Sequence, residues 1–170
     1  MTRIFRLELT VLVVVLSLCA GAIAQTEMAS VQAPRAEALS RNSQLLGFDL
    51  TKTNQHFYLY KNGGAIDLSA KNIEDVGSIA AVRRYLEKQE KAFAAGDIEL
   101  QKQVYATELP PSLLLIRKLR DEISFSYTST DEGGALRMFT INNKAREAIH
   151  DYLKHEIKAN QTDDPLTVQE

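Results

Sequence analysis

The chain has 170 residues, 45% of them hydrophobic, and a formal net charge of −2 at pH 7. This weakly acidic balance argues against the basic surface that nucleic acids select, and equally against an electrostatic hold on an anionic membrane. A single cysteine and no tryptophan leave no disulfide within the chain and remove the best stacking surface for sugars or quaternary amines.

In chain order, Arg3 and Arg6 precede an apolar run from Leu9 to Leu18, and the small-residue stretch AGAIA follows. A charged start, a short apolar core and a small-x-small ending mark a cleaved secretory signal, with cleavage expected between Ala24 and Gln25. The uninterrupted apolar run is about half of the ~20 residues a bilayer span needs, which argues against an uncleaved anchor. Leu18 is too bulky to precede a lipidated Cys19. Removing residues 1–24 leaves 146 residues with a net charge of −3, because Arg3, Arg6 and Glu8 leave with the segment. Cys19 leaves too, so no thiol nucleophile or thiolate ligand remains. The expected location is periplasmic or secreted, with no membrane span in the mature chain.

Residues 25–44 are polar and alanine-rich and read as a flexible tether, with room for a short helix around Arg35–Arg41 that would have little to pack on. A single domain is expected over 45–160, and a polar, frayed tail over 161–170. The first strands lie in HFYLYKNGGAIDLSA, where Phe57 and Leu59 alternate with Tyr58 and Tyr60. Asn62-Gly63 is expected to supply the positive φ angles of a tight hairpin. Ile79, Val82, Leu86 and Phe93 then fall on one helical face, after candidate caps Asn72, Asp75 and Ser78 and before a stop at Gly96. A short helix is expected over Glu99–Tyr105. A second begins at Pro111 and carries Leu113, Leu114, Ile116 and Leu119.

The pattern then repeats. Ile123, Phe125 and Tyr127 alternate, TDEGG turns, and ALRMFTI returns with a change of parity between Met138 and Phe139 that suggests a bulge or a strand covered on both sides. Asn142 or Asn143 opens a last helix with Ile149, Tyr152, Leu153 and Ile157 in its stripe. The fold class is therefore α+β: a duplicated strand-strand-helix unit forming a four-stranded antiparallel sheet with helices packed on one face. Four strands under helices are stable where one hairpin is marginal. Duplication also places a groove near the pseudo-twofold axis, where Tyr85 and Tyr152, aligned with each other, meet.

Chemistry-bearing residues are sparse. His150 lies at the border of the last apolar stripe, His155 further round on the solvent side one turn after Asp151, and His56 opens the first strand. Two ligands on one helix face want i,i+4 spacing, and His150 and His155 are five apart, so no metal site is expected. The carboxylates are scattered over helix surfaces and turns, and read as solvated rather than as an acid–base pair. No nucleophile elbow or phosphate loop occurs. No cofactor is expected and enzymatic activity is left open. The weak binding candidates are His150, Tyr85, Tyr152, Tyr105 and His56.

The stretches FDLTKTNQHF, NGGAI, FAAGDI, ELPPS, RKLRDEISFSY, GGALRMFT and AIHDYLKHEI resemble a family of small exported bacterial proteins of uncharacterised function, over roughly Phe48 to Val168. Such sequences are sometimes labelled aspartate carbamoyltransferase. That activity needs a longer two-domain chain and a Ser-Thr-Arg-Thr phosphate loop, neither of which occurs here. The resemblance implies a histidine-rich pattern, and with it a metal- or haem-linked protein. This chain keeps His150 but carries Leu50, Gln55, Tyr85, Lys88, Tyr105 and Asn160 where the pattern favours histidine. The leading expectation is an exported, non-catalytic binding module of unknown ligand, a small molecule or a protein partner held in the groove. The alternatives are a metal- or haem-linked protein with a degenerate ligand set, and a module that binds an envelope protein.

Overall fold

A computed structural model describes residues 37–106 and 108–169. The expected signal segment, with its cleavage point at Ala24, and the first part of the expected tether lie outside the described residues. The compact body is Ser40–Glu170. It therefore begins inside the expected tether, where the chain is already helical over 37–46 (α1). Leu46 packs on the core, and Ser43 Oγ accepts from Leu50 N at 3.1 Å.

Then follow β1 (Thr53–Tyr60), β2 (Gly63–Ala70), α2 (Val76–Ala95), α3 (Glu99–Tyr105), α4 (Pro111–Lys118), β3 (Ser124–Ser129), β4 (Gly133–Phe139) and α5 (Asn143–Asn160). The four strands form one antiparallel sheet in the order β1-β2-β4-β3. The α+β class and the sheet expected from the sequence are both present. Asp75 caps α2 and Asn142 caps α5, each accepting backbone N–H bonds of the first turn.

The ladder registers carry the duplication. Counterparts in β2 and β4 share the Gly-Gly-Ala start, so Gly64 matches Gly134, Ile66 matches Leu136 and Leu68 matches Met138. In the β2–β4 ladder Ile66 pairs with Leu136, its own counterpart, while Gly64 pairs with Met138 and Leu68 with Gly134. Only a twofold axis through the Ile66–Leu136 pair gives that pattern.

The helices then cross over. α2, from the first copy, packs on β3 and β4, and α5, from the second, packs on β1 and β2. The two strand glycines show the crossing at atomic scale. A Cβ on Gly64 would lie 2.2 Å from Leu153 Cδ1, and one on Gly134 would lie 3.2 Å from Leu86 Cδ1. Leu86 and Leu153 are themselves counterparts, so each leucine seats on the glycine of the other copy. The helix-facing side of the sheet is the core, with Leu59, Leu68, Leu86, Leu136, Met138 and Leu153 almost fully buried.

Three local expectations are corrected. The first hairpin turns on Lys61-Asn62 rather than Asn62-Gly63, because Tyr60 pairs with Gly63; of these turn residues only Gly63 has a positive φ, at 132°. The parity change in β4 is not a bulge, since both of its ladders run unbroken to Phe139. Instead Phe139 faces away from the helices at 51% exposure and Ile141, beyond the strand, is 90% exposed. In α4, Leu113 and Ile116 are buried but Leu114 is 46% exposed, so the stripe is narrower than expected.

The tail is not frayed either. Gln169 bridges Tyr60 in parallel and donates its N–H to Leu59 O at 2.8 Å. Asp164 Oδ2 accepts from Phe57 N at 2.9 Å. An edge strand with open N–H and C=O groups is a template for association, and the tail covers this one. Among the described residues no helix is long and apolar enough to cross a membrane.

Candidate functional site

A cavity of about 270 Å³ opens beside the twofold axis. Its floor is the sheet, through Phe57, Ile66 and Leu68, and its walls come from α1, α2, α3 and α5. Tyr85 from α2 and Tyr152 from α5 both line it, and Tyr105 joins them from α3. Tyr152 is 4% exposed, with its ring edge-on to Phe93 at 6.3 Å. Tyr85 is half-buried, edge-on to Phe48 at 5.1 Å.

The tyrosines converge on a residue that the sequence reading left among solvated carboxylates. Glu156 Oε1 accepts from the Tyr105 hydroxyl, and Oε2 accepts from Asn160 Nδ2 at 3.0 Å. The Tyr152 hydroxyl faces the same carboxylate. Burial pushes the Glu156 carboxyl up, against the opposing pull of these hydroxyls. Burial, and then the Glu156 charge, push the hydroxyls of Tyr85, Tyr105 and Tyr152 up as well, so all three stay protonated at neutral pH.

Glu156 was legible in principle. It lies four residues after Tyr152, on the apolar stripe rather than opposite it. The alignment that matches Tyr85 with Tyr152 also matches Gln89 with Glu156. Gln89 is 2% exposed and accepts from Gln101 Nε2 at 2.6 Å. Gln101, 7% exposed, also lines the cavity, and its Oε1 is buried with no hydrogen-bond partner among the described residues. Asn42 Oδ1, on the α1 wall, is in the same condition.

The histidines fall elsewhere. His150 Nε2 donates to Tyr60 O at 2.9 Å and Gly63 O at 3.0 Å, across the ends of the first hairpin turn. Its counterpart in α2 is Arg83, which donates to Gly133 O at 3.1 Å and to Thr130 O across the second turn. His150 thus staples a hairpin and does not line the cavity. His56 Nδ1 pairs with Asp164 Oδ1 at 2.9 Å, outside the cavity and on the tail. His155 is exposed, as expected, and sets its ring 5.5 Å from that of Tyr105.

Of the positions where the resemblance implies histidine, Leu50, Gln55, Tyr85, Tyr105 and Asn160 line this same cavity, and Lys88 is exposed on α2. Their identities here do not fit a metal or haem. The cavity holds one carboxyl, already bonded to the Tyr105 and Asn160 side chains, and no imidazole or thiolate. Among the described residues no three His, Cys, Asp or Glu side chains are grouped to hold a metal ion. Comparison with protein-family models, curated proteins and solved structures returns no match. The functional reading rests on the geometry of the site.

Proposed function

We propose that the chain is an exported binding module without catalytic activity of its own, and that a small molecule occupies the cavity around Tyr85, Tyr105, Tyr152 and Glu156. The observation that carries this reading is the unpartnered Oε1 of Gln101. A buried polar atom left without a partner costs about 1–3 kcal/mol, and a ligand bond removes that penalty. The volume sits near the lower end of ligand pockets, and the wall is mostly apolar with few convergent polar groups, as such pockets are. Acid–base catalysis wants a second group poised near neutrality beside the first. Glu156 instead has hydroxyls held protonated around it. Export is supported by the segment from Arg3 to Ala24.

Native mass spectrometry of the protein recovered from the exported fraction tests the reading. The wild-type chain is expected to begin at Gln25 and to carry a non-covalent small molecule. A folded Leu100→Trp variant, with bulk added to the α3 wall, is expected to lack it. Turnover of any substrate that disappears in Glu156→Gln would sink the non-catalytic part of the reading.

A further inference from the structure

The polar atoms on the cavity wall narrow the ligand's chemistry. Gln101 commits its Nε2 to Gln89, and Asn160 commits its Nδ2 to Glu156. The Tyr105 hydroxyl donates to Glu156, and the Tyr152 hydroxyl faces the same carboxyl. The Tyr85 hydroxyl and the Gln55 amide also line the wall, but its buried atoms without a partner among the described residues are both acceptors, Gln101 Oε1 and Asn42 Oδ1, and Glu156 adds the lone pairs of its carboxylate. Around these lie apolar side chains including Leu46, Phe48, Phe57 and Val104.

We propose that this cavity binds a small primary amine, an ammonium group on a compact apolar body, with Glu156 as counter-ion and the side-chain oxygens of Gln101 and Asn42 as further acceptors. The proposal rests on the reading of the cavity as a ligand site. An ammonium brings three N–H donors to a wall that has acceptors to offer, and its charge offsets the desolvation of the carboxylate. A carboxylic acid would set a second anion beside Glu156. An alcohol offers one donor and no charge. A quaternary ammonium would suit the tyrosine rings but has no N–H for the open acceptors.

The same geometry couples binding to protons. Burial holds the Glu156 carboxyl towards its neutral form, and a bound ammonium favours the anion, so amine binding releases a proton and affinity rises with pH until Glu156 is ionised without ligand. The other ionisable groups facing it are Tyr85 on α2, Tyr105 on α3, and Tyr152 and His155 on α5. The tyrosines stay neutral throughout that range. His155→Gln removes the remaining contributor.

Isothermal titration of the mature chain with benzylamine, benzyl alcohol, benzoate and benzyltrimethylammonium tests the proposal. Benzylamine is expected to bind at least ~10-fold more tightly than the other three, the factor of one charge-assisted hydrogen bond. Glu156→Gln should lose about that factor and the pH dependence with it, His155→Gln should keep the pH dependence, and Gln101→Met should weaken benzylamine alone. Benzyl alcohol or benzoate binding as well as benzylamine overturns the amine assignment and leaves the site standing. Benzyltrimethylammonium binding more tightly does the same, in favour of an aromatic cage. Binding by none of the four also overturns the assignment. If folded Leu100→Trp binds the best probe as well as wild type, the cavity is not the site and the reading beneath the proposal fails with it.

Discussion

Tyr85 and Tyr152 occupy matching places in the two copies, and the repeat alone predicts that truncating either has the same effect. The structure makes them unequal. Tyr152 is 4% exposed and packs on Phe93, with its hydroxyl buried near the Glu156 charge. Tyr85 is half-buried and feels the Glu156 charge without a hydrogen bond to it. Deleting a large buried ring costs about 3–5 kcal/mol. Tyr152→Ala is therefore expected to lose about 4 kcal/mol and Tyr152→Phe, which removes only a buried hydroxyl, about 1 kcal/mol. Tyr85→Ala, removing a ring that keeps some contact with solvent, should lose about 2–3 kcal/mol, and Tyr85→Phe less than about 0.5 kcal/mol. Urea unfolding of the four variants measures all of these, with an unchanged m-value confirming that stability alone has moved. A Tyr85→Ala as damaging as Tyr152→Ala would refute the unequal burial of the two rings.

Other outcomes follow from the same contacts. Because the folded-state pKa of Glu156 is raised above its unfolded value, the native state holds the proton more tightly; stability is therefore expected to fall as pH rises from about 4.5 through the folded pKa and then level off, and Glu156→Gln should flatten that decline in pH-dependent thermal melts. His150→Ala and Arg83→Ala should each lose about 1 kcal/mol, since each removes a staple across a hairpin turn, and hydrogen exchange should rise at Tyr60–Gly63 in the first variant and at Thr130–Gly133 in the second. Removing residues 161–170 uncovers the β1 edge and should cost about 2 kcal/mol for the lost bonds to Phe57 N and Leu59 O, with concentration-dependent association seen by light scattering.

Local chemistry in the sequence determined the elements. Asp75 and Asn142 bracket the starts of α2 and α5 because a side-chain oxygen must meet the first orphan N–H groups. Phe57 and Leu59 alternate because successive side chains of a strand face opposite ways. The two Gly-Gly starts made the repeat visible, and the repeat implied four strands and a groove at Tyr85 and Tyr152. Glu156 was half visible, on the apolar stripe of α5 opposite Gln89, yet a carboxyl on a helix is solvated unless something covers it, and the covering comes from Tyr105 on α3.

Only the tertiary structure decided the crossing of the helices. Leu86 reaches Gly134 and Leu153 reaches Gly64 across the axis, and a stripe of leucines packs equally well on either hairpin as far as its own sequence shows. The choice is made by long-range register, Ile66 against Leu136, which no local pattern encodes. The same holds for the tail: NQTDDPLTVQE is polar by composition, but Asp164 and Gln169 find unpaired groups on β1, and a polar segment stays ordered where a strand edge offers it partners.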